Sequence, residues 1–425
     1  MRRGRVLGPV GPTGGEGQIG RAVALLCLLP MFAQCFQYMT DIPPLYLLSK
    51  AWPFLALPFG VWALISLDVP YKILHIATLF WLLVITPIIG IVHLGNNFVG
   101  AMATTAKVWS FTHVLSLAGV LVILKPEPDT LRRVILGLGV GTYAVMVLLW
   151  VVIPASTYGG GDLETKLFMY DIERGYRIYM PMFFGILLIF YLNRSAWVRF
   201  AWWKPVGIAC AFFLLLTIYK QRLAIGSAAL AVVVGAVLRL RRLRLVAFTC
   251  LGLLCCVGGA VFLLRSQITG ELKNTLGGSL AIREVSVATA WNYISIDPIR
   301  WLLGVGGTTR LGDVTLGKLF NNPQFFLADI GWLGVLFEYG LIGVILILLV
   351  YVAALHLALR WARPDDPLSQ ALADYVVYLL AVSIVYSVVF TPGELMTVMA
   401  VSYYLARAHS APSARRVSGP LDPIL

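Results

Sequence analysis

Four arginines carry the strongest chemical signal in this sequence. Arg174, Arg177, Arg222 and Arg283 lie beside or between long apolar runs. Guanidinium groups bind phosphate oxygens through paired hydrogen bonds, so such a set suits a diphosphate and the charge that grows on it as a leaving group. Arg222 is the sharpest case. It follows TIYKQ and precedes LAIGSAAL, which places it at the mouth of an apolar run. A single arginine there is equally explained by a side chain reaching out of the membrane, but several on one side favour an anion pocket. Lys220, Arg300 and Arg310 are secondary candidates for the same pocket.

The candidate carboxylate is Asp329, set among apolar neighbours in FFLADIGWLGVLFEYG. A carboxylate in such a place is desolvated and needs a basic partner or a raised pKa. It could accept a proton from an attacking hydroxyl, or it could form a structural salt bridge. Glu338 follows nine residues on, before Gly340-Leu341-Ile342-Gly343. Packing or hydrogen bonding suits it better than catalysis, and it is kept as a secondary site candidate. Asp162, Glu164, Asp171 and Glu173 read as a solvated loop, and Glu284 as a charge balancing Arg283.

Other chemistries find little support. The five histidines are scattered, and the six cysteines all fall in apolar runs, where a small buried hydrophobe is the expected role. No Cys/His cluster with metal-ligand spacing occurs, so neither a metal nor a cofactor is expected. GVGGTTR lacks the Gly-Lys-Ser/Thr ending of a phosphate-binding loop. No Gly-x-Ser-x-Gly motif is present.

The elements that must position these residues are membrane helices. Of 425 residues, 59% are hydrophobic and 12% are charged. Mean hydropathy is +0.85. A soluble domain is about half apolar and about a quarter charged. A span needs about 20 apolar residues. Twelve stretches of roughly that kind occur, at 19–36, 51–67, 74–93, 108–124, 131–153, 179–191, 205–219, 223–238, 245–264, 331–359, 372–390 and 395–406. The expected fold is an all-α polytopic bundle of about twelve spans.

The net charge of +13 fits basic cytoplasmic loops better than nucleic-acid binding. With the N-terminus inside, the inner loops and tails hold 20 of the 33 basic residues. They include Arg21, Lys72, Lys125, Arg132, Arg194, Arg199, Lys204, the run Arg239 to Arg244, Arg360, Arg363 and Arg407. Both termini are then cytoplasmic, which requires an even number of spans. The expected division is a disordered head (1–18), nine spans (19–264), a large outer loop (265–330), three spans (331–407) and a tail (408–425). Ser279 to Asp297 has no Gly or Pro and reads as a helix in or on the membrane surface.

The order of these motifs is YKQRLAIG, then IREVSVATAW, then DPIRWLLGVGG, then DIGWLGVLFEYGLIG. It resembles the O-antigen ligase and O-antigen polymerase superfamily of bacterial envelope glycosyltransferases. The resemblance is strongest over 215–345 and agrees in layout along the whole chain. It implies a polyprenyl-diphosphate-linked glycan as donor, used at the periplasmic face of the inner membrane without nucleotide sugar. It implies membrane lipids, a chain-length regulator and a flippase of the same pathway as partners. In the ligases the position of Asp329 looks like a histidine of a His-Asn pair, whereas here it is Asp329-Ile330. An acidic residue resembles some polymerase-type members, so a polymerase is the expectation: inverting, metal-independent, with Asp329 as base and Arg222, Arg283, Arg177 and Arg174 on the diphosphate. The alternatives are a ligase transferring the glycan to lipid A-core, and a lipid-linked oligosaccharide flippase or other transporter. A cell-wall polymerase fits the loop motifs less well.

Overall fold

The computed structural model describes residues 15–160, 167–171, 174–237, 278–307, 315–322, 325–363, 365–386, 389 and 391–410. The ninth apolar stretch, the basic run 239–244, Arg265, Lys273, Arg310, Asp162, Glu164 and Glu173 lie outside the described residues.

The described elements are mostly helices. In chain order they are α1 (Gly15–Phe32), α2 (Pro43–Leu55), α3 (Leu57–Ser66), α4 (Lys72–Phe80), α5 (Thr86–Leu94), α6 (Phe98–Thr104), α7 (His113–Leu124) and α8 (Pro128–Val152). Strands β1 (Gly159–Gly160), β2 (Phe168–Asp171) and β3 (Gly175–Ile178) follow. Then come α9 (Phe183–Val198), α10 (Trp203–Leu214), α11 (Arg222–Val237), α12 (Gly278–Ile294) and α13 (Pro298–Leu303). Last are α14 (Trp332–Trp361), α15 (Pro367–Ser383) and α16 (Gly393–Ser410). Proline sets several helix starts. It occupies the first or second position of α2, α3, α5, α8, α13 and α15, where its missing N–H costs nothing and its fixed φ suits the helix. The side chains of Asn97, Asp297 and Asp366 cap α6, α13 and α15 by accepting backbone N–H bonds.

The expectation of an all-α chain needs one correction. The segment after α8 folds into a three-stranded sheet in the order β1-β2-β3. The β2–β3 pair is an antiparallel hairpin with Tyr170 opposite Tyr176 and Met169 opposite Arg177.

Eleven of the twelve apolar stretches fall on described helices, but length and apolarity single out far fewer as spans. Four helices are long and apolar enough to cross a membrane: Pro43–Ser66, Lys72–Leu94, Pro128–Val152 and Trp332–Trp361. A fifth is the pair Phe98–Lys107 and Trp109–Leu124, bent by 52°. These mark a membrane protein; they do not add up to twelve spans. The difference follows from position. The long helices lie at the rim, with only 28% of the apolar window buried in Pro43–Ser66 and in Pro128–Val152. Their outer faces expose Phe54, Val61, Ile65, Val140, Leu148 and Val151, as lipid-facing helices do. The shorter helices α7, α9, α15 and α16 are buried almost all round. They carry polar residues such as His113, Ser116, Asn193, Gln370, Thr397 and Ser402, which shorten any apolar run. Polar groups are tolerated there because protein surrounds them.

Groups that the charge pattern assigns to one side meet at one end of the bundle. Arg21 Nη1 donates to the Lys125 carbonyl at 2.9 Å, and the Tyr404 hydroxyl to the Pro126 carbonyl at 2.5 Å. Asp129, Arg132, Arg363, Asp365 and His409 share one small cavity. Arg194 is an exception. It was expected in an inner loop, yet it is buried within α9. Its Nε donates to Asp374 Oδ2 of α15 at 2.6 Å, its Nη2 to Oδ1 at 2.5 Å, and its Nη1 to the Gly235 carbonyl of α11 at 2.9 Å. The pair joins α9, α11 and α15 at one point.

Candidate functional site

Asp329 lies in a single 3₁₀ turn, Leu327–Ile330, immediately before α14. The turn is fixed from behind. Gly331 adopts φ +55, and a Cβ there would meet the Ile384 carbonyl oxygen at 2.2 Å, so only glycine fits the junction. Trp332 Nε1 donates to Ser383 Oγ at 3.1 Å. The carboxylate is half-buried. Burial pushes its pKa above the ordinary carboxylate value, and the Arg283 charge opposes that rise. Arg283 reaches it because α12, the predicted surface helix, packs on this turn. Glu284, the expected counter-charge, is exposed.

Three tyrosines, Tyr38, Tyr179 and Tyr386, lie near Asp329, and sequence reasoning did not find them. Burial raises the pKa of Tyr38, and the Asp329 charge adds to it. The Tyr386 hydroxyl donates to the Tyr38 hydroxyl at 3.5 Å. A tyrosine hydroxyl can donate to or accept from an oxygen-rich ligand.

The cations gather in a second place. Arg174, Lys220 and Arg222 line a cavity of about 440 Å³ with Leu216, Ile225 and Gly226. The local chain explains the grouping. A π-helical turn, Leu215–Tyr219, ends α10 at Lys220, which takes a left-handed conformation at φ 55. The chain then reverses directly into α11, with Arg222 exposed as its first residue. The N-terminal amides of α11 add positive potential there. Lys220 Nζ donates to the Arg174 carbonyl at 2.9 Å, which ties the β2–β3 turn to the cavity. Arg177 is buried on the opposite face of the hairpin from Tyr176. The Tyr179 ring stacks on Tyr219 at 6.1 Å. The structure thus forms two sets, Asp329 with Arg283 nearby and the Arg174–Lys220–Arg222 cavity.

The remaining candidates separate from this site. Arg300 donates to the Tyr293 carbonyl at 3.1 Å and lies 4.5 Å from the Tyr293 ring centre, so it braces its own loop. Glu338 lies apart, in the structural role that suits it better than catalysis. It is 1% exposed and ion-paired with Lys107 at 2.6 Å.

Its neighbourhood accounts for the Gly-rich motif. Gly340 has φ 67 and ψ −178, which breaks α14, so the carbonyls just before it lose their helical donors. Substitutes arrive from outside. Val305 N donates to the Phe337 carbonyl at 2.8 Å, Gly306 N to the Glu338 carbonyl at 3.2 Å, and Trp81 Nε1 to the Tyr339 carbonyl at 2.9 Å. GVGG is therefore a backbone clamp that fastens the segment after α13 to α14. Gly340→Ala places a Cβ 2.4 Å from Gly304 N in a disfavoured backbone region. It is expected to cost about 2 kcal/mol or more and to lower the melting temperature in detergent. Gly141→Ala, with nothing within 4 Å of the added Cβ, should melt like the parent.

No protein-family model matches the chain, and no curated protein matches it in sequence.

Proposed function

We propose that this chain is a membrane glycosyltransferase that polymerises undecaprenyl-diphosphate-linked oligosaccharide repeat units at the periplasmic face of a bacterial inner membrane. The observation that carries the reading is the cationic cavity of Arg174, Lys220 and Arg222, together with the half-buried carboxylate of Asp329 in a turn packed against α12, the helix that bears Arg283. The order of motifs that resembles the O-antigen ligase and polymerase superfamily supplies the substrate class. About twelve spans with both termini cytoplasmic is the matching topology.

In this mechanism Arg174, Lys220 and Arg222 hold the diphosphate of the donor, with Arg177 and Arg283 adding positive charge. An acceptor hydroxyl oxygen attacks the anomeric carbon from the face opposite the diphosphate. The new C–O bond forms as the bond to the diphosphate oxygen breaks, and the anomeric centre inverts. The hydroxyl proton passes to the Asp329 carboxylate. The electron pair leaves with the diphosphate, whose growing charge the guanidinium groups stabilise. Arginine charge serves where other transferases use a cation, so activity is expected to survive chelation by EDTA.

A flippase fits less well. The ion pairs buried in the bundle, Lys107–Glu338 and Arg194–Asp374, each neutralise themselves and do not line a path for an anion.

The test is a deletion strain complemented with parent and variant chains, read by glycan gel and by extraction of lipid-linked products. Loss of the ladder with survival of a single capped repeat identifies a polymerase. Full-length polymer left on the carrier, absent from lipid A-core, identifies a ligase. An unchanged profile removes both readings. Arg222→Ala at equal expression should reduce polymer about 10–100-fold, the scale of one lost charge-assisted contact. Full polymerisation by that variant would sink the assignment of the diphosphate pocket.

A further inference from the structure

A row of aromatic rings starts at the edge of the cationic cavity, and none of the mechanism above uses it. Lys220 lies 5.8 Å from the Trp150 ring centre. Trp150 meets Tyr158 edge-on at 6.3 Å, Tyr158 meets Tyr176 at 5.2 Å, and Tyr176 lies 4.9 Å from Tyr170. The hairpin register explains the last contact, because Tyr170 and Tyr176 are direct cross-strand partners and share a face. Both are 41% exposed, so their rings are accessible as the protein stands.

We propose that this aromatic row is a saccharide-stacking subsite, which takes pyranose units of the glycan next to the bound diphosphate. The proposal rests on the reading of a diphosphate-linked glycan as donor. Three features select a saccharide. Pyranoses present patches of C–H bonds that pack on aromatic faces, while their hydroxyls need polar neighbours. Tyrosine offers both in one side chain. Trp150 is in the last turn of α8, and the two exposed rings, Tyr170 and Tyr176, stand on the hairpin beyond it, not along the lipid-facing side of a helix. Finally, Arg174 belongs to the turn between Tyr170 and Tyr176 and also lines the cavity. A diphosphate in the cavity therefore puts the first sugars beside the rings. Successive rings are spaced like successive sugars of a glycan chain, so the row would also orient the donor and resist its sliding.

The test uses the full chain in nanodiscs and two probes, lipid-linked oligosaccharide extracted from the producing cells and bare undecaprenyl diphosphate. The parent should bind the glycan-bearing probe more tightly. Tyr170→Ala/Tyr176→Ala should lose about tenfold for that probe, the scale of two lost ring contacts, and bind the bare carrier unchanged. Tyr170→Phe/Tyr176→Phe should keep most of the preference, because the rings remain. Equal binding of both probes by the parent, or an alanine variant that binds both as the parent does, overturns the subsite and leaves the enzyme reading standing. Equal weakening toward both probes also overturns it and identifies the rings as membrane-interface anchors. A parent chain that binds neither probe defeats the enzyme reading, and the subsite falls with it.

Discussion

Asp329→Asn is expected to lower turnover about 10²–10⁴-fold, the usual contribution of a positioned base, with little change in the amount of folded protein. Asparagine keeps the shape of the side chain and the packing of the 3₁₀ turn, whose anchors are Gly331 and Trp332. It removes only the capacity to take a proton. The pH dependence of the parent gives a second readout. The base works as the carboxylate, so kcat/KM should fall as pH drops through the pKa of Asp329 and level off above it. Burial has raised that pKa, and Arg283 holds it down. Arg283→Gln takes away the opposing charge, so the acid limb of the profile should move to higher pH. The two readouts separate roles. Asp329→Asn retaining parental turnover excludes proton transfer at this position. An acid limb that stays in place in Arg283→Gln excludes the coupling between the two groups. A structural salt bridge alone would lower stability and leave the surviving activity with an unchanged profile.

The largest stability effect should come from Asp374→Ala. The change strands Arg194, whose guanidinium is buried between α9, α11 and α15 and makes three hydrogen bonds. Breaking a buried pair by removing one partner costs about 3–5 kcal/mol. In a membrane bundle the stranded cation has no water to turn to. The expected result is a large drop in melting temperature or loss of the monodisperse peak in detergent. Replacing both partners by apolar residues of similar volume, Arg194→Met with Asp374→Leu, should recover much of the loss. A double-mutant cycle then gives the coupling directly. Parental melting of Asp374→Ala would show that the pair contributes nothing to stability. Because neither Arg194 nor Asp374 lines the cationic cavity, the recovered double variant should also recover polymerisation.

Much of this protein was legible in its sequence where the signal is local. Proline at helix starts, apolar runs and the glycines that end them are decided within a few residues. Eleven apolar stretches accordingly became helices. The meeting of Arg21 with Lys125, and of Lys220 with Arg174, agrees with loops that the charge pattern groups together. So were Asp329 with its need for a basic partner, and the candidates Arg174, Lys220 and Arg222 that share one cavity.

The tertiary structure decided what depends on distant partners. Arg194 looked like a loop base because its counter-ion stands 180 positions away. Tyr38 and Tyr386, 348 positions apart, look in sequence like any aromatic residue near a membrane surface. Only packing of the loop after α1 against the segment after α15 turns them into donors beside a carboxylate. The role of GVGG was not legible, since nothing in four residues reveals that α14 breaks at Gly340 and leaves carbonyls for that loop to satisfy. Which helices face lipid is decided in the same way: a helix enclosed by protein is free to carry polar groups, a helix facing lipid is not, and which of the two a segment becomes is settled by its neighbours.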